Sequence, residues 1–131
     1  MRAGPRGFTL VELLIVVVII GILATIAIPK FANTKEKAFT SAMRSDLRNL
    51  ASVQETYWTT NQIYYGGAIP NLAAFQYRPS NGIVVTMVSA TAAGWSAQAS
   101  APTLTGQTCV IFYGVAPPIP PATVDAAVAC T

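Results

Sequence analysis

One apolar stretch, Phe8–Ile28, constrains this chain more than any other feature. It is 21 residues long, and Glu12 is its only charged residue. About 20 residues of α-helix cross the ~30 Å hydrocarbon core of a bilayer. Only 10% of the whole chain is charged and 53% is apolar, whereas a soluble domain carries about 25% charged residues. The stretch therefore predicts a membrane-spanning helix.

Two further features predict its orientation. Arg2 and Arg6 precede the apolar stretch, and basic residues mark the cytoplasmic side of a membrane helix. Cys109 and Cys130 are the only cysteines and the chain has no histidine, so an ordinary four-ligand zinc site is excluded. A disulfide, which needs an oxidising compartment, is the simpler interpretation, and two free buried thiols are the alternative. Both features place the N-terminus in the cytoplasm and the rest outside.

Glu12 does not fit an ordinary membrane anchor. A carboxylate inside an apolar helix costs about 2.5–3.5 kcal/mol on insertion scales, so Glu12 is a candidate functional residue. The alternative is that its side chain simply reaches the lipid headgroups. A secretory signal peptide cut near Ala27 is a competing interpretation, but a signal core is shorter and uncharged.

The residues around Glu12 favour a functional role. The relevant positions are Gly7, the run Phe8-Thr9-Leu10-Val11-Glu12, Gly21 and Pro29. This pattern closely resembles the N-terminus of type IV prepilins, with their class III leader, and of the related pseudopilins over residues 6–31. The resemblance implies that a prepilin peptidase cuts between Gly7 and Phe8 and methylates the new amine of Phe8.

The resemblance also implies how such a chain assembles. The Glu12 carboxylate would pair with the Phe8 amine of a neighbouring subunit, and breaking a buried pair of this kind costs about 3–5 kcal/mol. The implied partners are identical subunits in a helical filament, the peptidase, an inner-membrane assembly platform and, before assembly, the lipid bilayer. No cofactor is implied. Between Gly21 and Pro29 the helix would either kink or melt on assembly.

Beyond Pro29 the pattern becomes amphipathic and predicts that one helix runs from Phe8 to about Thr60. Its apolar stripe has helical spacing and consists of Phe39, Met43, Leu47, Leu50, Val53 and Tyr57. Turn residues between later apolar runs predict a small antiparallel sheet that packs on this stripe. The predicted strands are Ile83–Val88, Trp95–Ser100 and Cys109–Tyr113. The fold class is therefore α+β.

The predicted organisation has four parts. They are a leader over residues 1–7, a transmembrane or filament-core helix half over 8–29, an amphipathic half over 30–60, and a connecting loop, sheet and C-terminal loop over 61–131. Four prolines in 114–121 exclude a further central strand there. A Cys109–Cys130 bond would tie this tail to the last strand.

These features predict a non-enzymatic subunit of a type IV pilus-like surface filament. A minor pilin or a pseudopilin of a type II secretion system is the alternative. Major pseudopilins usually bind calcium through a C-terminal acidic loop, and calcium needs several carboxylates, whereas Asp125 is the only acid after Glu55.

No nucleophile–base pattern or phosphate loop predicts an enzyme. Without Arg2 and Arg6 the chain has six basic and five acidic side chains. This net charge of +1 is too small for a strong nucleic-acid binder. A monomeric membrane-anchored binding module would leave the Gly7–Glu12 motif without a purpose.

Overall fold

The computed structural model describes residues 7–131. The chain divides into two compact units, of which the first ends at Lys35 and the second is Glu36–Thr131. Helix α1, Leu10–Asn61, contributes to both units, and a four-stranded sheet follows. The strands are β1 (Val84–Ala90), β2 (Gly94–Ser100), β3 (Thr108–Gly114) and β4 (Ala129–Cys130). The predicted α+β fold is confirmed.

The first unit contains the apolar half of α1. Its large apolar side chains from Phe8 to Phe31 are exposed in the isolated chain, and α1 is long and apolar enough to cross a membrane. An apolar surface of this size marks a membrane or protein contact. The helix continues through Gly21 and Pro29 without interruption, and a change at these positions on assembly stays a prediction.

Both ends of α1 have local causes. The helix begins at Leu10 rather than at the predicted Phe8, because Thr9 adopts the capping position before it. It ends at Asn61 because Gln62 takes a left-handed conformation, with φ 56°. The Gln62 N–H then donates to the carbonyl of Trp58 at 2.8 Å, which satisfies one of the last carbonyls of the helix.

The core of the second unit lies between its part of α1 and the antiparallel sheet, whose strand order is β1-β2-β3-β4. Met43, Leu47 and Leu50 are fully buried, as the amphipathic stripe predicts. They share one apolar cluster with side chains from the inner face of the sheet, among them Val85, Trp95, Ala97, Ala99 and Ile111. The predicted packing of sheet on stripe is confirmed.

The irregular connection between α1 and β1 supplies aromatic side chains to this core. Tyr64, Tyr65, Phe75 and Tyr77 are all buried, and the rings of Tyr65 and Phe75 stack with centroids 4.4 Å apart. Burial, followed by the hydrogen bond from its hydroxyl to Glu55, raises the pKa of Tyr64 to about 12. The connection is therefore part of the folded unit rather than a linker.

The C-terminal tail covers part of the outer face of the sheet. Val110 and Phe112 of β3 cluster there with Ala116 and Ala122 of the proline-rich tail. The tail then returns as β4, a two-residue strand that the sequence did not predict. Cys109 and Cys130 lie opposite each other across β3 and β4, and the predicted disulfide joins them.

This disulfide gives a first testable prediction. Cys109 and Cys130 are 21 residues apart, and closing such a loop stabilises a domain by about 3 kcal/mol in the chain-entropy model. In a fragment starting at Glu36, reduction should lower the melting temperature by about 10 °C or more. Calorimetry with and without reductant measures this, and a double alanine variant at both cysteines should not respond to reductant. Two titratable thiols in unreduced denatured protein would contradict the prediction.

Candidate processing and assembly site

Thr9 and Glu12 form a reciprocal set of hydrogen bonds at the start of α1. The Glu12 Oε2 atom accepts from the Thr9 backbone N–H at 2.9 Å and from the Thr9 hydroxyl at 3.0 Å. In return, the Glu12 backbone N–H donates to Thr9 Oγ1 at 3.2 Å. This is a capping box, in which two side chains satisfy amide groups that the first turn leaves unpaired.

The capping box fixes the Glu12 carboxylate at the N-terminal end of the helix while leaving half of it open. Within the described part of the chain, Glu12 Oε1 makes no hydrogen bond. A carboxylate accepts through both oxygens, so one oxygen can serve the cap and the other a second donor. The capping role of Thr9 was not predicted, although Thr-x-x-Glu before an apolar run is a recognised helix-start pattern.

Gly7 and Phe8 lie outside regular structure, directly before the capping box. Both are exposed, and a Cβ atom placed on Gly7 would meet nothing within 4 Å. The backbone of this segment is therefore accessible in the isolated chain. Arg2 and Arg6, which carry the predicted orientation, lie outside the described residues, as does the rest of the leader before Gly7.

The other predicted residues do not belong to this cluster. Gly21 and Pro29 are interior positions of α1, and Cys109 and Cys130 form a structural bond in the second unit. Across residues 7–131, no group of three or more histidine, cysteine or acidic side chains is placed to hold a metal ion. What the N-terminal arrangement presents is an accessible backbone, an oriented carboxylate and an exposed apolar helix.

Comparisons with known proteins agree with this arrangement. A family model described as the prokaryotic N-terminal methylation motif matches residues 2–28. The type IV major fimbrial protein FimA of Dichelobacter nodosus is 34% identical over 101 residues, which cover 66% of this chain and 65% of the relative. In its N-terminal segment the chain carries the methylation motif of the type IV pilins and is similar to them. The pilin relatives are structural subunits rather than enzymes.

Two further relatives are similar to a smaller part of this chain. The type IV major pilin protein PilA of Myxococcus xanthus is 44% identical over 65 residues, or 48% of this chain and 30% of the relative. The type II secretion system core protein G of Klebsiella michiganensis is 40% identical over 63 residues, covering 48% of this chain and 44% of the relative. The chain thus spans less than half the length of these two relatives. Pilins and pseudopilins match it about equally well.

Proposed function

We propose that this chain is a structural subunit of a type IV pilus-like surface filament. Before assembly, residues 8–29 hold it in the inner membrane, with the N-terminus in the cytoplasm and the second unit outside. The observation that carries the proposal is the combination at the start of α1. The oriented Glu12 carboxylate lies at the N-terminal end of an apolar helix, and the exposed apolar side chains of this helix need contact with lipid or with other helices.

Processing comes first in the proposed mechanism. Gly7 has no side chain and lies in an accessible segment just before the capping box, so a membrane-embedded peptidase can bind the backbone there. Cleavage after Gly7 converts the Phe8 nitrogen from an amide into an amine, which is then methylated and carries a positive charge. The leader with Arg2 and Arg6 stays in the cytoplasm, as the bias of basic residues requires.

Assembly then exchanges lipid contacts for helix contacts. The exposed apolar side chains of the first unit pack against those of neighbouring subunits. The Glu12 carboxylate forms an ion pair with the Phe8 amine of a neighbour. Because Oε2 is engaged by Thr9, the pair would use the open Oε1. Pairing the two buried charges removes the free-energy cost of burying either charge unpaired. Because the pair forms at only one axial position, it fixes the register of the incoming subunit.

The processing step is tested by Gly7→Val. A branched side chain at this position hinders the approach of a peptidase to the backbone, so we expect uncleaved full-length protein to accumulate in the membrane and filaments to be lost. Intact-protein mass spectrometry of the membrane fraction measures this. Gly21→Ala is the matched control, because Gly21 lies within α1 and a Cβ there meets nothing within 4 Å. Normal cleavage of Gly7→Val would contradict the proposed site.

A second candidate function, pseudopilin of a type II secretion system, is favoured by the resemblance to core protein G. Pilins and pseudopilins share the N-terminal motif, so this motif does not distinguish the two functions. The differences lie in the second unit and in the place where the subunits assemble. Asp125 is the single acid in the tail, and its Oδ1 already accepts from the Gly114 N–H at 3.0 Å. Deleting the gene should abolish surface filaments if the chain is a major pilin. It should block the secretion of folded proteins if the chain is a pseudopilin.

A further inference from the structure

Asn81-Gly82 is the only place in the sequence where glycine follows asparagine. The other four asparagines, which precede larger residues, are Asn33, Asn49, Asn61 and Asn71. A backbone nitrogen can attack the side-chain amide carbon of a preceding asparagine, and a glycine offers the least steric hindrance to this attack. This dipeptide is therefore the most reactive asparagine position that the sequence contains.

The fold requires glycine at this position. The Ile83 N–H donates to the Ser80 carbonyl at 3.0 Å and closes a turn, in which Gly82 has φ +79°. This left-handed conformation is costly for other residues. A Cβ atom on Gly82 would also lie 3.1 Å from the ring of Phe39. The turn therefore disfavours a larger residue at position 82, which would slow the attack on Asn81.

The reacting groups are accessible. Asn81 and Gly82 are both exposed. Within residues 7–131, neither the Gly82 N–H nor the side-chain amide of Asn81 makes a hydrogen bond. The Ile83–Ser80 hydrogen bond closes the turn around these two residues.

A buried anchor lies next to this turn. The Ser80 N–H donates to Asp46 Oδ2 at 2.9 Å, and the Ser80 hydroxyl donates to Oδ1 at 2.8 Å. The Tyr77 hydroxyl donates to the Asp46 backbone carbonyl at 2.8 Å. The Asp46 side chain is 4% exposed, and a buried carboxylate of this kind depends on its donors. The anchor joins α1 to the chain that leads into β1.

We propose that Asn81 is a site of spontaneous deamidation that weakens this anchor as the protein ages. The Gly82 nitrogen bonds to Asn81 Cγ and loses its proton, and the Asn81 side-chain nitrogen leaves as ammonia. Water opens the resulting five-membered imide at either carbonyl, giving aspartate or isoaspartate without any change of oxidation state. The product carries a new carboxylate beside Ser80, which repels the Asp46 carboxylate. Isoaspartate also adds one main-chain atom to the turn.

Ageing of the full-length protein in detergent tests the modification. Samples held in mildly alkaline buffer are digested and followed by peptide mass spectrometry, with enzymatic methyl labelling of isoaspartate. We expect loss of the amide at Asn81 to outpace loss at each of the other four asparagines and to speed up with pH, because the attacking nitrogen must lose its proton. In Asn81→Gln the reaction would need a six-membered ring, so this position should stay unmodified. Amide loss at Asn81 no faster than at the other asparagines would overturn the proposal.

The effect on the anchor is tested separately by Asn81→Asp, which installs the new charge at once. Its denaturation midpoint, followed by the fluorescence of Trp58 and Trp95, should shift to lower denaturant. Gln76→Glu is the control, because it adds the same charge at another exposed position. It should lower the denaturation midpoint by less. Equal midpoints for the two variants would overturn the link between Asn81 and the anchor. The chemistry needs neither a membrane nor a filament, so these results do not depend on the proposed function.

Discussion

Replacing Glu12 by alanine should abolish filament assembly while leaving insertion, cleavage and the fold of the second unit intact. Insertion should become easier by about 2.5–3.5 kcal/mol, because the carboxylate no longer enters the apolar region. Assembly should fail because the Phe8 amine of a neighbour loses its partner. A loss of about 3–5 kcal/mol per subunit corresponds to a reduction in filament yield of about 100-fold or more. The measurement is sheared filament against the membrane pool, with the mature mass checked in both.

The capping box makes a sharper control available. Glu12→Gln keeps an oxygen that can accept from the Thr9 N–H, so the helix start is preserved, but it removes the charge. If charge pairing drives assembly, Glu12→Gln should fail like Glu12→Ala, and Glu12→Asp should be intermediate because its reach is shorter. Normal filament yield from Glu12→Ala would leave Glu12 as a residue that only reaches the headgroups. Normal yield from Glu12→Gln alone would assign it to helix capping.

Replacing Gln54 by alanine should cause a large loss of stability in the second unit. Gln54 is fully buried in α1. Its Nε2 donates to the Tyr65 carbonyl at 2.8 Å, and its Oε1 accepts from the Tyr65 N–H at 2.8 Å. The Gln54 side-chain amide thus satisfies both the N–H and the carbonyl of buried Tyr65, as the backbone of a neighbouring β-strand would. Each buried group left without a partner costs about 1–3 kcal/mol, and the lost packing adds to this.

The expected decrease in the free energy of unfolding is therefore about 3–5 kcal/mol, measured by chemical denaturation of a fragment that starts at Glu36. Gln54→Leu keeps most of the volume and separates hydrogen bonding from packing, so it should lose most of the same stability. The exposed Ser52→Ala, on the same helix, should change stability by no more than about 0.5 kcal/mol. A Gln54→Leu variant as stable as the parent would show that the amide bonds contribute little.

The sequence predicted the elements that depend on periodicity. The 3.6-residue repeat of Met43, Leu47 and Leu50 predicted both the helix and its buried face. Turn residues between the apolar runs placed the ends of the three main strands to within two residues. These patterns are local, and each repeats along the chain. The family motif at Gly7–Glu12 predicted the region that the comparisons match, although the roles of its residues stay predictions.

The sequence did not predict the elements that depend on partners distant in the chain. Gln54 is a single polar residue on an apolar stripe, and only its contact with Tyr65 shows why it is there. Strand β4 is two residues long and has no pattern of its own, because pairing with β3 and the Cys109–Cys130 bond define it. Nothing in the sequence of the connecting loop after the helix indicated that Tyr65 and Phe75 would enter the core.

The most direct test of the proposed function is mass spectrometry of the N-terminal peptide from material sheared off the cell surface. It reports cleavage, methylation and location in one measurement. We expect a peptide that begins with N-methylated Phe8 and contains Glu12. A surface protein that begins near Ala27 or Ile28 would instead indicate a conventional signal peptide, and it would contradict a filament subunit that assembles through the Phe8–Glu12 pair.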